Sequence, residues 1–122
     1  MYMISIIAPP NAKGIQPPCA IFNAFAPKKI KALLAELEKE ATGFVRTCDA
    51  NANIISEFKV YMLYSGQGWE IPISLTRKQA MSPDVAIFEK LFEADYSKLF
   101  GRTVTGMDIE ITVWAVNATT PP

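Results

Sequence analysis

The sequence predicts an α+β domain, a two-layer sandwich with two amphipathic helices packed on one face of a mainly antiparallel sheet of three or four strands. Three observations carry this expectation. Apolar residues recur at helical spacing over 27–46 and again after residue 84; they alternate singly over 58–64, 69–75 and 109–115; and a glycine-containing stretch joins the first two alternating runs. At 122 residues the chain has room for one such core and not for two.

Residues 2–7 alternate weakly, as a short strand or a docking arm would, and stop at Pro9-Pro10. From Pro9 to Pro27, both included, the chain carries five prolines, with Ile15, Ile21, Phe22 and Phe25 among them. Residues 1–26 therefore read as a Pro-rich, irregular but ordered N-terminal segment, and 27–122 as the domain proper. Pro27 suits a first helical position, and Ile30, Leu33, Leu34, Leu37, Ala41, Phe44 and Val45 form the apolar stripe of the first helix.

Phe58, Val60, Met62 and Tyr64 then alternate with Lys59, Tyr61 and Leu63, and Trp69, Ile71, Ile73 and Leu75 alternate with Glu70, Pro72 and Ser74. With Ser65-Gly66-Gln67-Gly68 between them they read as a β-hairpin. Pro72 has no N–H to donate to a ladder, so its strand is expected at an edge or at a bulge. Ser82-Pro83-Asp84 supplies an N-cap, a first-turn proline and a first-turn acid, and Ile87, Phe88, Leu91, Phe92, Leu99 and Phe100 follow as a helical stripe ended by Gly101. After Gly106, Ile109, Ile111, Val113 and Ala115 alternate with Asp108, Glu110, Thr112 and Trp114 as a final strand.

Composition narrows the function. Twelve basic residues balance twelve acidic ones, with no basic stretch interleaved with aromatics, so nucleic acid is not an expected partner. The apolar start MYMISIIAPP has no basic flank and is too short to span a bilayer, so neither a signal peptide nor a membrane partner is expected, and the cytoplasm is the expected location. There is no histidine, which removes the commonest general base near neutral pH and the commonest metal ligand. Half the residues are hydrophobic and 20% are charged, an apolar excess that points to a covered surface.

The acidic residues Glu36, Glu38 and Glu40, and Glu93 and Asp95, fall on helices that need a solvated face, and are read as surface. The 65–68 stretch lacks the lysine and helix N-terminus of a phosphate loop and is read as a turn. Cys48 has no histidine to activate it, and a Cys19–Cys48 disulfide is not expected. Tyr61 and Trp114 share strand faces with polar neighbours, which makes them the leading aromatic candidates for contact with a partner.

Three segments together resemble the C-terminal domain of the hydantoinase A/5-oxoprolinase family. They are Tyr64-Ser65-Gly66-Gln67-Gly68-Trp69-Glu70-Ile71-Pro72-Ile73, then Phe92 through Gly101, then Ile109-Glu110-Ile111. The family shows Y-x-G-Q-x-Y/W-E in a strand–turn–strand, F-x-x-x-H-x-x-x-Y-G in a helix, and v-E-i in a closing strand. The resemblance spans roughly residues 27–118 and rests on the order and spacing of the segments. Family asparate and arginine positions are Tyr61 and Leu63 here, the helix histidine is Tyr96, its tyrosine is Phe100, and the closing arginine is Ala115. A polar network in relatives would thus be replaced as a set by apolar groups.

The resemblance implies membership of an assembly that uses ATP either to open cyclic amides or, as in acetone and acetophenone carboxylases, to carboxylate a ketone. The actin-like nucleotide domain of such enzymes has no counterpart in this sequence. The expectation is a non-catalytic small accessory subunit, or a fragment, with no cofactor of its own, and with ATP and a divalent metal held by larger partner subunits. Tyr61, Tyr64, Gly66, Gln67, Trp69, Glu70, Phe92, Tyr96, Gly101, Glu110 and Trp114 are its motif and candidate interface residues. The alternative is an autonomous homodimeric α+β small-molecule binding domain or cofactor-free enzyme, with a pocket lined by Tyr64, Trp69 and Tyr96.

Overall fold

A computed structural model describes residues 3–9, 19–20, 27–51, 53–66, 69–104 and 107–120. It has the α+β architecture expected, with strands β1 (Met3–Ala8), β2 (Cys19–Ala20), β3 (Ile55–Tyr64), β4 (Ile71–Leu75) and β5 (Ile109–Thr119), and helices α1 (Pro27–Cys48), α2 (Arg77–Met81) and α3 (Val85–Phe100). The sheet is antiparallel in the order β1-β5-β3-β4, with β2 also paired to β5. Strand β1 falls where the sequence offers a short strand or a docking arm, and β2 is a two-residue pairing inside the 1–26 segment.

Helix α1 buries Ile30, Leu33, Leu34, Leu37, Ala41 and Val45, an i, i+3, i+4, i+7 stripe laid on β5 and β1. Phe44 was expected in that stripe and is exposed instead, because Val45 takes the inward position in the same turn. On β3, Phe58, Val60, Met62 and Tyr64 face the helices, and their ladder partners Leu75, Ile73 and Ile71 on β4 are buried with them. Strand β4 is an edge of the sheet, as Pro72 requires.

Helix α3 begins after Asp84, whose Oδ1 accepts the Ala86 amide at 2.8 Å. The cap is therefore Asp84 and not Ser82, since the residues before it are taken up by α2. That five-residue helix carries a capping box: the Thr76 hydroxyl accepts the Gln79 amide, and the Gln79 side chain accepts the Thr76 amide. The buried stripe of α3 is Phe88, Phe92 and Tyr96, each one turn apart, while Ile87, Leu99 and Phe100 from the expected stripe are exposed. Gly101 ends the helix at φ 77°, left-handed backbone that a side chain would strain.

The largest departure from the sequence reading is in β5. Tyr61 pairs with Val113, but the next ladder pair is Met62 with Ile111, so Thr112 is an extra residue, a β-bulge. A bulge moves every residue beyond it to the opposite face. Ile109 and Ile111 point inward before it; after it Trp114, Val116 and Ala118 do, and Ala115, though 3% exposed, lies on the face away from the helices. Trp114 is 0% exposed in the core, so its assignment as an exposed partner contact is corrected.

Candidate interaction surface

The three motif segments converge at one end of the sandwich. Tyr64, at the end of β3, meets Phe92 of α3 edge to face (centroids 4.9 Å apart, planes at 83°) and Tyr96 likewise (4.7 Å, 80°). Tyr96 stacks on Phe100 at 4.5 Å, extending the cluster to the end of the helix. The Tyr64 hydroxyl accepts the Val104 amide at 3.1 Å. Tyr64, Phe92 and Tyr96 are therefore buried, and work as the packing that joins α3 to the sheet, not as groups open to a partner.

Other motif residues shape the same end. Gly66 turns at φ 85°, which a residue with a side chain rarely adopts, and the neighbouring Ser65 amide donates to the Asp108 carbonyl at 2.8 Å. Gln67 and Gly68 lie outside the described residues. Glu70 braces the bulge: its carboxylate accepts the Thr112 hydroxyl at 2.6 Å, and the Tyr61 carbonyl oxygen lies 3.3 Å from the same hydroxyl. Glu110, opposite Leu63, is half-buried on the sheet face away from the helices.

Three large apolar side chains in these segments are exposed. Trp69 is 71% exposed, and Leu99 and Phe100 at the end of α3 are also exposed. Tyr64 and Tyr96 pack on each other in the core while Trp69 faces solvent, so these three do not line a common pocket. The positions where this chain departs from the family pattern do not form one set either. Tyr96 and Phe100 lie on the helix side of the sheet, whereas Tyr61, Leu63 and Ala115 lie on the opposite face, so an exchange of a single shared network is ruled out by topology.

That opposite face carries no helix among the described residues. Its cross-strand rows are Met3–Thr119–Ile55, Ser5–Asn117–Glu57, Ile7–Ala115–Lys59–Ser74, and Val113–Tyr61–Pro72.

Electrostatic features lie elsewhere. Arg77 of α2 grips Glu38 of α1 with two hydrogen bonds, 3.1 and 2.5 Å, and its guanidinium carbon lies 5.3 Å from the Phe58 ring centroid. The Arg77 bond, opposed in part by burial and aided by the Ser56 hydroxyl, holds the Glu38 carboxyl below the usual carboxylate range. A shallow groove of about 500 Å³ runs beside the pair, lined by Lys39, Thr42, Arg46 and Ser56 among others. On α3, burial and then Glu93 one turn away push Glu89 upward. Cys48 is an exposed free thiol. Among the described residues no three metal-ligating side chains come together, and no helix is long and apolar enough to cross a membrane.

Because the folded pKa of Glu38 is depressed, its contribution to stability is present above the unfolded value and is lost as pH falls through the folded one. Arg77 is largely exposed, so the contribution is expected at about 1 kcal/mol or less. Urea midpoints measured from pH 6 down to pH 3 should fall more steeply for the wild type than for Arg77→Met. Parallel acid limbs would show that the pair is energetically silent.

Comparisons with known proteins place the fold. No family model and no curated protein matches the chain. Among solved structures it is similar to the ATP-dependent caprolactamase from Pseudomonas jessenii, with a TM-score of 0.73 at 14% identity, over 98% of this chain and 16% of that one. It is also similar to nucleotide-free acetone carboxylase, with a TM-score of 0.64 at 17% identity, over 99% of this chain and 17% of that one. The chain thus spans about a sixth of the length of the proteins whose fold it shares, and along nearly its whole length it has the fold of a segment of two ATP-dependent enzymes.

Proposed function

We propose that this chain is a non-catalytic accessory subunit or module of an ATP-dependent assembly of the carboxylase or cyclic-amide hydrolase type. The observation that carries the proposal is the match of 98–99% of the chain to a segment making up 16–17% of each of two much longer ATP-dependent enzymes. In this reading ATP and its divalent metal belong to larger, cytoplasmic partner subunits, and this chain adds shape and contact surface.

The contact surface is the apolar rim at the motif end. Phe100 stands on the Tyr64–Phe92–Tyr96 cluster through Tyr96, Leu99 is exposed beside it in the chain, and Trp69 is exposed where the chain enters β4. Large apolar side chains held by a well-packed support are the usual anchors of a protein interface, and tryptophan above all. The substitutions Trp69→Ser and Leu99→Ser together leave the buried cluster in place. Tagged wild-type chain should retain a larger subunit from extracts of its native host, and the double variant should lose it at least tenfold. Equal retention by both would remove the rim from the interface.

A further inference from the structure

The sheet face turned away from the helices has a pattern that the accessory role does not use. Met3 is 65% exposed, Ile7 67% and Ile55 54%, and all three belong to this one face. They are spaced across the face, with Thr119 and the Ser5–Asn117–Glu57 row between them. Its charges are Glu57 and Lys59, two residues apart on β3, and half-buried Glu110 in the end row opposite Leu63; neither Glu57 nor Lys59 has an ion-pair partner among the described residues. We infer that this face pairs with the same face of a second copy of the chain, closing a two-fold sandwich of two sheets.

The register says why the occupant is a second copy. A two-fold axis lying in the interface, across the strands and level with Phe58, inverts position along each strand and keeps each strand over itself. Glu57 then meets Lys59 of the second copy, and by symmetry Lys59 meets its Glu57. The same operation sets Ile55 against Tyr61 of the second copy, twice. An isologous interface needs a patch that carries both halves of every contact, and these four β3 residues do.

The area fits a modest dimer. Four rows of a four-stranded sheet extend roughly 20 Å along the strands and about 15 Å across them. Two such faces, packed with strands about 30° apart, bury on the order of 1,000 Å² in total, near the lower bound for a specific interface. The expected dimer is therefore weak and depends on concentration.

The purified chain alone tests this, so the outcome is independent of any larger subunit. Light scattering on a sizing column should show the wild type shifting from monomer to dimer as concentration rises through the micromolar range. Glu57→Lys and Lys59→Glu each place like charges at both symmetry-related contacts, and each should weaken the dimer by about tenfold or more. Mixing the two variants in equal amounts should restore dimer, because each copy then offers the opposite charges to the other. The double variant E57K/K59E should dimerise like the wild type, which separates the charge contact from any general damage to the fold. A wild type that stays monomeric up to millimolar concentration would overturn the proposal, as would single charge reversals that dimerise unchanged, or a mixture that fails to recover.

Discussion

Replacing Trp114 by alanine is expected to cost about 3–5 kcal/mol, a large share of the roughly 5–15 kcal/mol that holds a domain of this kind together. The ring is 0% exposed, flanked on the sheet by Ala8 of β1 and Val60 of β3, and lies on the face that α1 covers. Its indole Nε1 is buried and has no hydrogen-bond partner among the described residues. Leaving such a donor unpaired costs about 1–3 kcal/mol, a penalty already present in the wild type. Phenylalanine removes the orphan donor along with part of the ring, so the two changes oppose each other. Trp114→Phe is therefore expected to cost no more than about 1.5 kcal/mol, well short of the alanine variant. Urea unfolding followed by circular dichroism measures both. An alanine variant within about 0.5 kcal/mol of wild type would put the ring at the surface, where unshifted strand alternation would have left it.

Deleting Thr112 is expected to have an even larger effect. The bulge is one residue long, and without it the strand must choose. Either Ile109 and Ile111 keep their inward positions and Trp114, Val116 and Ala118 turn to solvent, or the reverse occurs. Each choice takes several buried side chains out of the core, a loss of more than about 4 kcal/mol, and the chain should no longer fold cooperatively. Thr112→Ala keeps the extra residue and loses only the hydroxyl that donates to Glu70, which is expected to cost about 0.5–1.5 kcal/mol. Protease resistance and the near-ultraviolet signal of Trp114 separate the two outcomes. A deletion variant as stable as Thr112→Ala would mean that β5 needs no bulge.

These two residues also show where the sequence stops being legible. Helix α1 and most of α3, the β3–β4 pair and the edge position of β4 follow from periods of 3.6 and 2 and from the missing N–H of Pro72. A single inserted residue in a strand leaves both alternating series individually plausible, and only the pairing with β3 shows that Trp114 belongs with Ile111. Helix α2 is too short for its periodicity to register. Its capping box, Thr76 with Gln79, was nonetheless written in the sequence as a T-x-x-Q signature. The pairing of β1 with β5 spans the length of the chain, from Met3 to Thr119, and no local pattern encodes such a contact.

The candidate surface was legible in its parts and not in its assembly. Tyr64, Phe92 and Tyr96 were singled out as motif residues, and the fold brings them together within one aromatic cluster. Which aromatic faces outward could not be read from spacing, since Trp69 precedes its strand and Trp114 follows a bulge. The role of Glu70 as a brace for Thr112 joins residues 42 positions apart. The division of Tyr61, Leu63 and Ala115 from Tyr96 and Phe100 by the sheet likewise depends on topology and not on residue type.

The central claim is that this chain works bound to larger subunits. The most direct measurement is the mass and composition of the particle that carries it in its native host, taken by affinity capture, a sizing column and mass spectrometry of the peak. The expected result is co-elution with larger subunits of an ATP-dependent enzyme at a fixed ratio. Recovery of the chain alone, as a monomer or as a pair of identical copies, would contradict it.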